Sequence, residues 1–295
     1  MLIQEYYKTR KDILEKGLED LLAPNSEYPK NLHKAMRYTV MNGGKRIRPI
    51  LFFSTYEMLL GRKNKKRIER VLPAAIALEL VHTASLIHDD LPSMDNSSER
   101  RGKASCHVKF DVPTAILTGD ALITLAYEVL TNFKSSTDSI NCIKILSKAL
   151  SSRGMIGGQA VDIISATKKI NINTLRYIHI KKTGALLQAS VEMACILQEV
   201  DENITITLSN FALNLGLAYQ IVDDILDEVG SYDILGKEPG GDLKNEKATY
   251  PLLLGLEKSK KTAEKLLRDA HNMIKNMNNN EALLEFINSI TERLP

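Results

Sequence analysis

Apolar residues recur at spacings of three and four along most of the chain, which is the period of an amphipathic α-helix. In the segment 71–91 these positions are Leu72, Ile76, Leu80, Ala84 and Ile87. We expect Pro73 to lie in the first turn of this helix, where proline is tolerated, and Pro92 to end it. The pattern therefore predicts a long apolar helix that ends beside a group of acidic residues.

The same helical period covers much of the remaining chain, including the stretches 116–130, 141–150, 173–197 and 204–229. No segment alternates apolar and polar residues convincingly in the manner of a β-strand, and we find no hairpin signal between two such runs. No linker rich in serine and glycine divides the chain. These features predict a single all-α domain over residues 1–295.

Composition narrows the possible functions and locations. The formal net charge is only +3, and a nucleic-acid-binding protein usually has a stronger and more clustered basic excess, so that partner is disfavoured. Cys106, Cys142 and Cys195 are far apart in sequence, which favours three reduced thiols in the cytoplasm. The charged N-terminus argues against a secretory signal, and no run reaches the ~18 uninterrupted apolar residues of a membrane span.

Two segments, each late in a long apolar run, repeat one pattern: an adjacent pair of aspartates followed by a third. The first contains Asp89, Asp90 and Asp95, and the second contains Asp223, Asp224 and Asp227. Carboxylates near a helix C-terminus are disfavoured by ~0.3–1 kcal/mol each, and residues four apart on a helix share a face, so these charges require compensation. Ordinary solvent-exposed aspartates on the protein surface would explain one such cluster. Two clusters favour Mg²⁺, which binds carboxylates, water and substrate phosphates.

Basic residues accompany the acidic clusters. The turn Gly43-Gly44 leads into the sequence Lys45-Arg46-Ile47-Arg48, which lacks the Walker A pattern. Further cations follow at Arg100, Arg101, Lys182, Lys237 and Lys247. Each one alone would be an ordinary solvated surface residue. Together they supply guanidinium and ammonium groups suited to phosphate oxygens.

With these motifs the chain resembles the trans-type isoprenyl diphosphate synthases, the family of farnesyl and geranylgeranyl diphosphate synthases. The segments that carry the resemblance are 43–49, 79–102, 119–122, 158–162, 182–184 and 219–251. The resemblance implies an isoprenoid synthase helical bundle around a central hydrophobic pocket. It also implies a homodimer, small isoprenoid diphosphate substrates and three Mg²⁺ ions per active site.

The resemblance also assigns roles to individual residues. Magnesium would be bound or supported by Asp89, Asp90, Asp95, Asp223, Asp224 and Asp227, with Gln159 and Asp162 near the metals. Isopentenyl diphosphate would be bound by Lys45, Arg48, His82 and Arg101. The allylic diphosphate would be bound by Arg100, Lys182, Thr183, Gln220, Lys237 and Lys247, of which all but Lys247 would also take part in catalysis.

The assignments of His82, His88 and the C-terminal Arg293 need separate arguments. A lone histidine on a helix is usually structural or exposed, but His82 lies two helical turns before Asp89 on a similar face, which supports a substrate role. His88 has no such support and is expected to be structural. The C-terminal Arg293 is a candidate for covering the isopentenyl diphosphate site.

The implied reaction is the head-to-tail condensation of isopentenyl diphosphate with dimethylallyl, geranyl or farnesyl diphosphate. Small side chains at Ala84 and Ser85, with Val81 one turn deeper, predict room for a C20 product, geranylgeranyl diphosphate. The longer spacing between Asp90 and Asp95 also narrows the pocket in related enzymes, so farnesyl diphosphate (C15) is the alternative.

Two remoter alternatives are a class I terpene cyclase and a non-catalytic regulatory subunit of a heteromeric synthase. The second metal motif of a cyclase usually mixes Asn or Asp with Ser or Thr and Glu, unlike the segment Asp223–Asp227. Regulatory subunits typically lose one or both acidic clusters, whereas both are intact here.

Overall fold

A computed structural model describes residues 3–61, 65–166, 168–229 and 248–295 of the chain, and these residues are mostly helical with almost no strand. The all-α prediction is confirmed. The chain divides into two compact units, the first comprising Met1–Phe53 and Lys63–Lys144 and the second Ser54–Arg62 and Ile145–Pro295.

The first part of the chain contains seven α-helices within the described residues and one small hairpin. The helices are α1 (Ile3–Leu21), α2 (Lys30–Val40), α3 (Ile47–Leu60), α4 (Lys65–Asp89), α5 (Cys106–Lys109), α6 (Val112–Leu130) and α7 (Ser136–Leu150). Between α4 and α5, strands β1 (Glu99–Arg100) and β2 (Lys103–Ala104) pair antiparallel. The sequence did not predict these strands, because two residues are too few to reveal an alternating pattern.

The second part of the chain contains the remaining helices. They are α8 (Met155–Ser165), α9 (Ile172–Ile178), a π-helical segment (His179–Gly184), α10 (Ala185–Leu197), α11 (Glu202–Val229), α12 (Tyr250–Leu254), α13 (Leu256–Ile274) and α14 (Glu281–Thr291). The continuous helix expected over 173–197 is therefore interrupted by a π-helical turn.

The expected position of Pro73 is wrong. Helix α4 begins at Lys65, so Pro73 lies inside it rather than in its first turn, and the helix ends at Asp89. An interior proline removes one backbone hydrogen bond and costs ~3 kcal/mol or more. Ile68 and Val71, on the turn before the proline, are both buried. Burial of such apolar side chains contributes ~1.5–3 kcal/mol each, which offsets the proline.

Each unit is organised around one long helix. In the first unit α4 packs chiefly against α6 and also contacts α1 and α2. In the second unit α11 packs against α13, α10 and the π-helical segment. The C-terminal ends of α4 and α11 hold the two acidic clusters, so each cluster is attached to the core of its unit.

Two stretches, Ile68–Asp89 and Val112–Leu130, are long and apolar enough to cross a membrane. Length and composition are weak grounds for such an assignment, because core helices of globular proteins meet the same criteria. In Ile68–Asp89, 67% of the 18-residue apolar stretch is buried inside the protein, compared with 33% in Val112–Leu130. The absence of a membrane span stays a prediction.

Candidate active site

The first acidic cluster begins on the last residue of α4. Asp89 ends the helix, and the loop that follows turns back so that the backbone N–H of Asp95 donates to the carbonyl oxygen of Asp89 at 2.8 Å. Asp89 is half-buried and Asp95 is exposed. The loop therefore returns the third aspartate of the motif to the end of the helix.

Asp90 differs from its neighbours because it is tied to an arginine. Its side chain is almost fully buried, and Arg100 on strand β1 donates to it through Nε at 3.1 and 3.2 Å and also through Nη2. Burial raises the pKa of Asp90 despite the opposing effect of Arg100. This carboxylate thus holds Arg100 in place within the first unit.

Arg101 follows Arg100 directly and contacts different groups. Its Nη1 donates to the carbonyl oxygen of Gly43, and its Nη2 lies 3.9 Å from Glu79 Oε1. A Cβ atom at Gly44 would lie 2.5 Å from Arg101 Cζ, so the glycine turn leaves room for this guanidinium. Arg101 is the first residue of the turn after β1 and has a positive φ of 55°, so its guanidinium reaches partners different from those of Arg100.

The basic motif after Gly44 contains one structural cation. Arg46 is fully buried; its Nη1 donates to Glu79 at 2.6 Å, and its Nε to Glu15 at 2.8 Å. By contrast, Lys45 is exposed and Arg48 is half-buried. The sequence-predicted ligands Lys45 and Arg48 therefore flank a residue that joins α1, α3 and α4.

His82 lies in strongly positive surroundings. Burial lowers its pKa well below the usual value, and Arg48 and Arg101 lower it further, followed by Arg46 and Arg100. The imidazole is therefore neutral at physiological pH. The structure brings His82, Arg48 and Arg101 together. Arginines gathered around a neutral histidine favour the binding of an anion.

The second acidic cluster lies within α11, where Asp223 contacts the C-terminal tail. Arg293 Nη2 donates to Asp223 Oδ1 at 2.5 Å, and the guanidinium lies 5.0 Å from the centre of the Tyr219 ring. The sequence had suggested Arg293 as a cover for a substrate. The structure instead places it on a carboxylate of this cluster.

Asp224 is held by groups that the sequence analysis missed. The backbone N–H of Tyr250 donates to Asp224 Oδ2 at 2.9 Å, and His179 Nε2 lies 3.8 Å from the same oxygen. The rings of His179 and Tyr250 stack with centroids 5.5 Å apart. Burial lowers the pKa of His179 to about 4, so this ring is neutral. No local sequence signal links these residues, because the contacts join three separate elements.

Lys182 and Thr183 lie in the π-helical segment and are half-buried. Lys182 Nζ donates to Asp162 Oδ2 on α8 at 2.8 Å. Gly158 permits the close approach of α8, because a Cβ atom there would lie 2.4 Å from the backbone nitrogen of Lys182. The structure therefore brings Lys182 and Asp162 together, although the sequence had grouped them with different ligands.

Other predicted residues have less defined surroundings. Gln220 is half-buried on α11, one turn before Asp224, and Asp227 is buried. The predicted chain-length residues lie on α4, where Ala84 and Val81 are fully buried and Ser85 Oγ donates to the carbonyl oxygen of His82. Lys237 and Lys247 lie outside the described residues.

The donor set fits a hard divalent cation. Among the described residues, no group of three or more His, Cys, Asp or Glu side chains could hold a metal ion by itself. Mg²⁺ does not need such a cage, because it keeps water and takes substrate phosphates as ligands. Two cations already occupy carboxylates, Arg100 on Asp90 and Arg293 on Asp223. Gln159 Oε1 is buried with no hydrogen-bond partner in the described part of the chain.

The remaining sequence expectations concern His88 and the cysteines. His88 Nε2 lies 3.2 Å from the carbonyl oxygen of Ile116 on α6, which agrees with a structural role. Cys106, Cys142 and Cys195 are buried and free of disulfide bonds, as expected. Burial raises the pKa of Cys142 and of Cys195 to about 12, so these thiols are unreactive at neutral pH.

Comparisons with known proteins identify the family of the chain. Residues 29–290 match the sequence profile of the polyprenyl synthetase family. The farnesyl diphosphate synthase of Micrococcus luteus is 40% identical over 99% of this chain and 99% of its own length. Geranylgeranyl pyrophosphate synthase 4 of Arabidopsis thaliana is 40% identical over 98% of this chain and 77% of its own length.

A solved structure is similar over the same extent. The crystal structure of geranyltransferase from Helicobacter pylori, complexed with magnesium and isoprenyl diphosphate, has a TM-score of 0.84 and 33% sequence identity, covering 100% of this chain and 98% of that one. Profile, relatives and fold therefore agree along nearly the whole length. The chain belongs to the polyprenyl synthetase family, and it is a prenyltransferase.

Proposed function

We propose that this enzyme joins isopentenyl diphosphate to allylic diphosphates in a Mg²⁺-dependent reaction and releases geranylgeranyl diphosphate. The observation that carries the proposal is the presence of two aspartate clusters, each of which already holds an arginine on one carboxylate. Such clusters attract cations, as a metal-bound diphosphate requires.

In this proposal the allylic diphosphate binds through three magnesium ions and through protein cations. The metal ligands and their supports are Asp89, Asp90, Asp95, Asp223, Asp224 and Asp227, with Gln159 and Asp162 beside them. The ion pair between Asp90 and Arg100 supports different roles for these two residues, because the carboxylate orients the arginine that binds the allylic diphosphate. Lys182, Thr183, Gln220, Lys237 and Lys247 complete the allylic site.

Isopentenyl diphosphate binds at Lys45, Arg48, His82 and Arg101 in this proposal. The low pKa of His82 supports it, because a neutral imidazole donates one hydrogen bond without adding to the repulsion among the arginines. Arg101 donates to the carbonyl oxygen of Gly43, and this bond fixes the position of its guanidinium.

Catalysis begins with cleavage of the allylic C–O bond. Bound Mg²⁺ supplies positive charge where the leaving diphosphate becomes negative. Arg100 and Lys182 donate to diphosphate oxygens, and their preorganised charges stabilise the same transition state. Thr183 lies beside the allylic cation, and the apolar helices exclude water that would quench it. The double bond of isopentenyl diphosphate attacks the cation, and the released diphosphate takes the final proton.

The proposed product length depends on the side chains that precede the first acidic cluster on α4. The side chains before the first acidic cluster are small or medium in size, since Val81, Ala84 and Ser85 include no aromatic ring. Their size supports a C20 product. Relatives named as farnesyl and as geranylgeranyl diphosphate synthases are equally similar to this chain, so a C15 product is the alternative.

We also propose that the chain functions as a single domain in a cytoplasmic homodimer. The family match at 29–290 extends through both compact units, which supports one domain. Helix α6 exposes Val112, Ile116 and Leu117, an apolar face that a second copy of the chain would cover.

The direct test is incubation of the purified chain with Mg²⁺, isopentenyl diphosphate and one allylic starter at a time: dimethylallyl, geranyl or farnesyl diphosphate. Mass spectrometry should show a product that accumulates at C20 and disappears when a chelator is added. Accumulation at C15 would agree with the proposed condensation reaction but contradict the proposed C20 product. No elongation from any starter would favour a cyclase or a regulatory subunit.

A further inference from the structure

The C-terminal tail places a cation on the second acidic cluster. Arg293 lies two residues beyond α14, and its backbone N–H still donates to the carbonyl oxygen of Ile290 at 3.2 Å. Its guanidinium reaches Asp223 Oδ1 at 2.5 Å and lies over the ring of Tyr219. Tyr219 and Asp223 are four residues apart on α11 and therefore share one helix face.

This contact compensates an unfavourable charge arrangement. Asp223 and Asp227 are also four residues apart, so their carboxylates repel each other when both are ionised. An arginine on Asp223 reduces that repulsion in the absence of metal. The Arg293 side chain is 24% exposed, and a partly exposed ion pair is weak enough for a competing cation to displace it.

The guanidinium is incompletely satisfied where it lies. Arg293 Nη1 is buried, yet it has no hydrogen-bond partner in the described part of the chain. A buried donor without a partner costs free energy, so the docked tail is less stable than a fully bonded one. The position is therefore suited to reversible occupation.

We propose that Arg293 is a resident counter-cation of Asp223, and that metal binding through Asp223 and docking of the tail exclude each other. We call Arg293, Tyr219 and Asp223 the tail latch. This inference rests on the proposed role of Asp223 as a magnesium ligand. A competitor that binds only the metal-free state lowers the apparent affinity for the metal, and the metal in turn releases the competitor.

The latch is tested by binding of Mn²⁺, followed by electron paramagnetic resonance in the presence of inorganic pyrophosphate. In full-length protein, Arg293→Gln should bind Mn²⁺ roughly three- to tenfold more tightly, because a weak ion pair and a cation–π contact no longer compete. Arg293→Lys should lie between this variant and the wild type, since it keeps the charge and loses the planar fork.

Two control variants separate the latch from the proposed function. Arg268→Gln removes an exposed arginine of α13 that pairs with Glu264, and it should bind Mn²⁺ as the wild type does. Asp223→Asn should weaken binding, and adding Arg293→Gln to it should cause no further change. If Asp223→Asn leaves binding unchanged, the metal role of Asp223 fails and the latch fails with it.

Hydrogen exchange gives a second readout. Amides of residues 289–295 should exchange faster when Mn²⁺ and pyrophosphate are bound, because the tail is released. If Arg293→Gln weakens Mn²⁺ binding or leaves it unchanged while Asp223→Asn weakens it, the latch is overturned and the metal site stands. Increased protection of the tail in the loaded protein would overturn the latch as well.

Discussion

At the scale of single residues, the aspartates of one cluster are not equivalent. Asp89 is half-buried at the end of α4, whereas Asp90 is buried against Arg100. The contact with Arg100 occupies the Asp90 carboxylate. The proposed chemistry therefore assigns direct metal binding to Asp89 and orientation of Arg100 to Asp90.

Replacing Asp89 by Asn should lower kcat by about 100-fold or more, because it removes charge that positions the metal-bound diphosphate. Steady-state kinetics over a range of Mg²⁺ concentrations measures the loss, and higher Mg²⁺ should recover part of it. Asp269→Asn on α13 is the matched control and should retain wild-type rates. A wild-type rate for Asp89→Asn at low Mg²⁺ would remove this residue from the metal site.

A second prediction concerns Ala84. This methyl group is fully buried on α4, and a tyrosine in its place would add a ring where the tail of a C20 product is expected to extend. Ala84→Tyr should shorten the product to C15 or less, as measured by mass spectrometry. Ala84→Ser keeps the small volume and should retain C20. An unchanged product in correctly folded Ala84→Tyr would show that product length is determined elsewhere.

Residue types and spacing predicted the acidic clusters and most of the cations, but not the environment of each side chain. Arg46 and Arg48 look alike in the sequence, yet Arg46 is buried by partners 31 and 33 residues away. Likewise, Arg293 was recognisable as a basic tail residue, whereas its contact with Asp223 spans 70 positions. Such pairings depend on the folded chain and leave no local sequence signal.

At the scale of elements, the π-helical segment His179–Gly184 is the feature that most affects the site. It places Lys182 and Thr183 half-buried and brings Lys182 to Asp162 on α8. π-Helical turns are uncommon and occur frequently at functional sites. Its geometry depends on the close approach of α8 at Gly158.

Gly158→Ala should destabilise the protein by about 2 kcal/mol or more, because the added methyl would overlap the backbone of Lys182. Denaturant unfolding measures the change. Gly184→Ala is the control, since its Cβ would meet Leu213 at 3.5 Å, an ordinary contact. Equal stability of the two variants would mean that α8 moves away from the π-helical segment without cost.

Elements were predicted well where they are long and apolar, and poorly where they are short. The periodic runs that end at Leu130, Leu150, Leu197 and Val229 all correspond to helices. The π-helical turn was missed because it lies inside the run 173–197, whose spacing predicted one regular helix. The interior position of Pro73 was missed because Ile68 and Val71, upstream of the proline, are buried and extend the helix beyond the expected first turn.

At the scale of the whole molecule, the exposed face of α6 bears on assembly. Ile116 and Leu117 are 42% and 58% exposed, and Val112 precedes Ile116 by one helical turn. Neighbouring apolar side chains on one face are typical of a protein–protein interface. This face supports the proposed homodimer.

Light scattering coupled to size exclusion should therefore give twice the mass of one chain. Leu117→Lys combined with Ile116→Lys should reduce the mass towards that of one chain, because charges are strongly disfavoured in the centre of an interface. Ile206→Lys replaces an exposed isoleucine of α11 and serves as the control. A monomeric wild type, or a dimer that survives both lysines, would contradict the role of this face.

The hairpin of β1 and β2 has a consequence for how this sequence can vary. It pairs Arg100 with Lys103 and places Arg101 in the turn, so that Arg100 reaches Asp90 and Arg101 reaches Gly43. Inserting or deleting one residue in β1 would turn the Arg100 side chain to the other face of the hairpin, away from Asp90, since strand side chains alternate with a period of two. The hairpin therefore limits how the length of this loop can change, because a one-residue change in β1 would remove the partner of the buried Asp90 carboxylate.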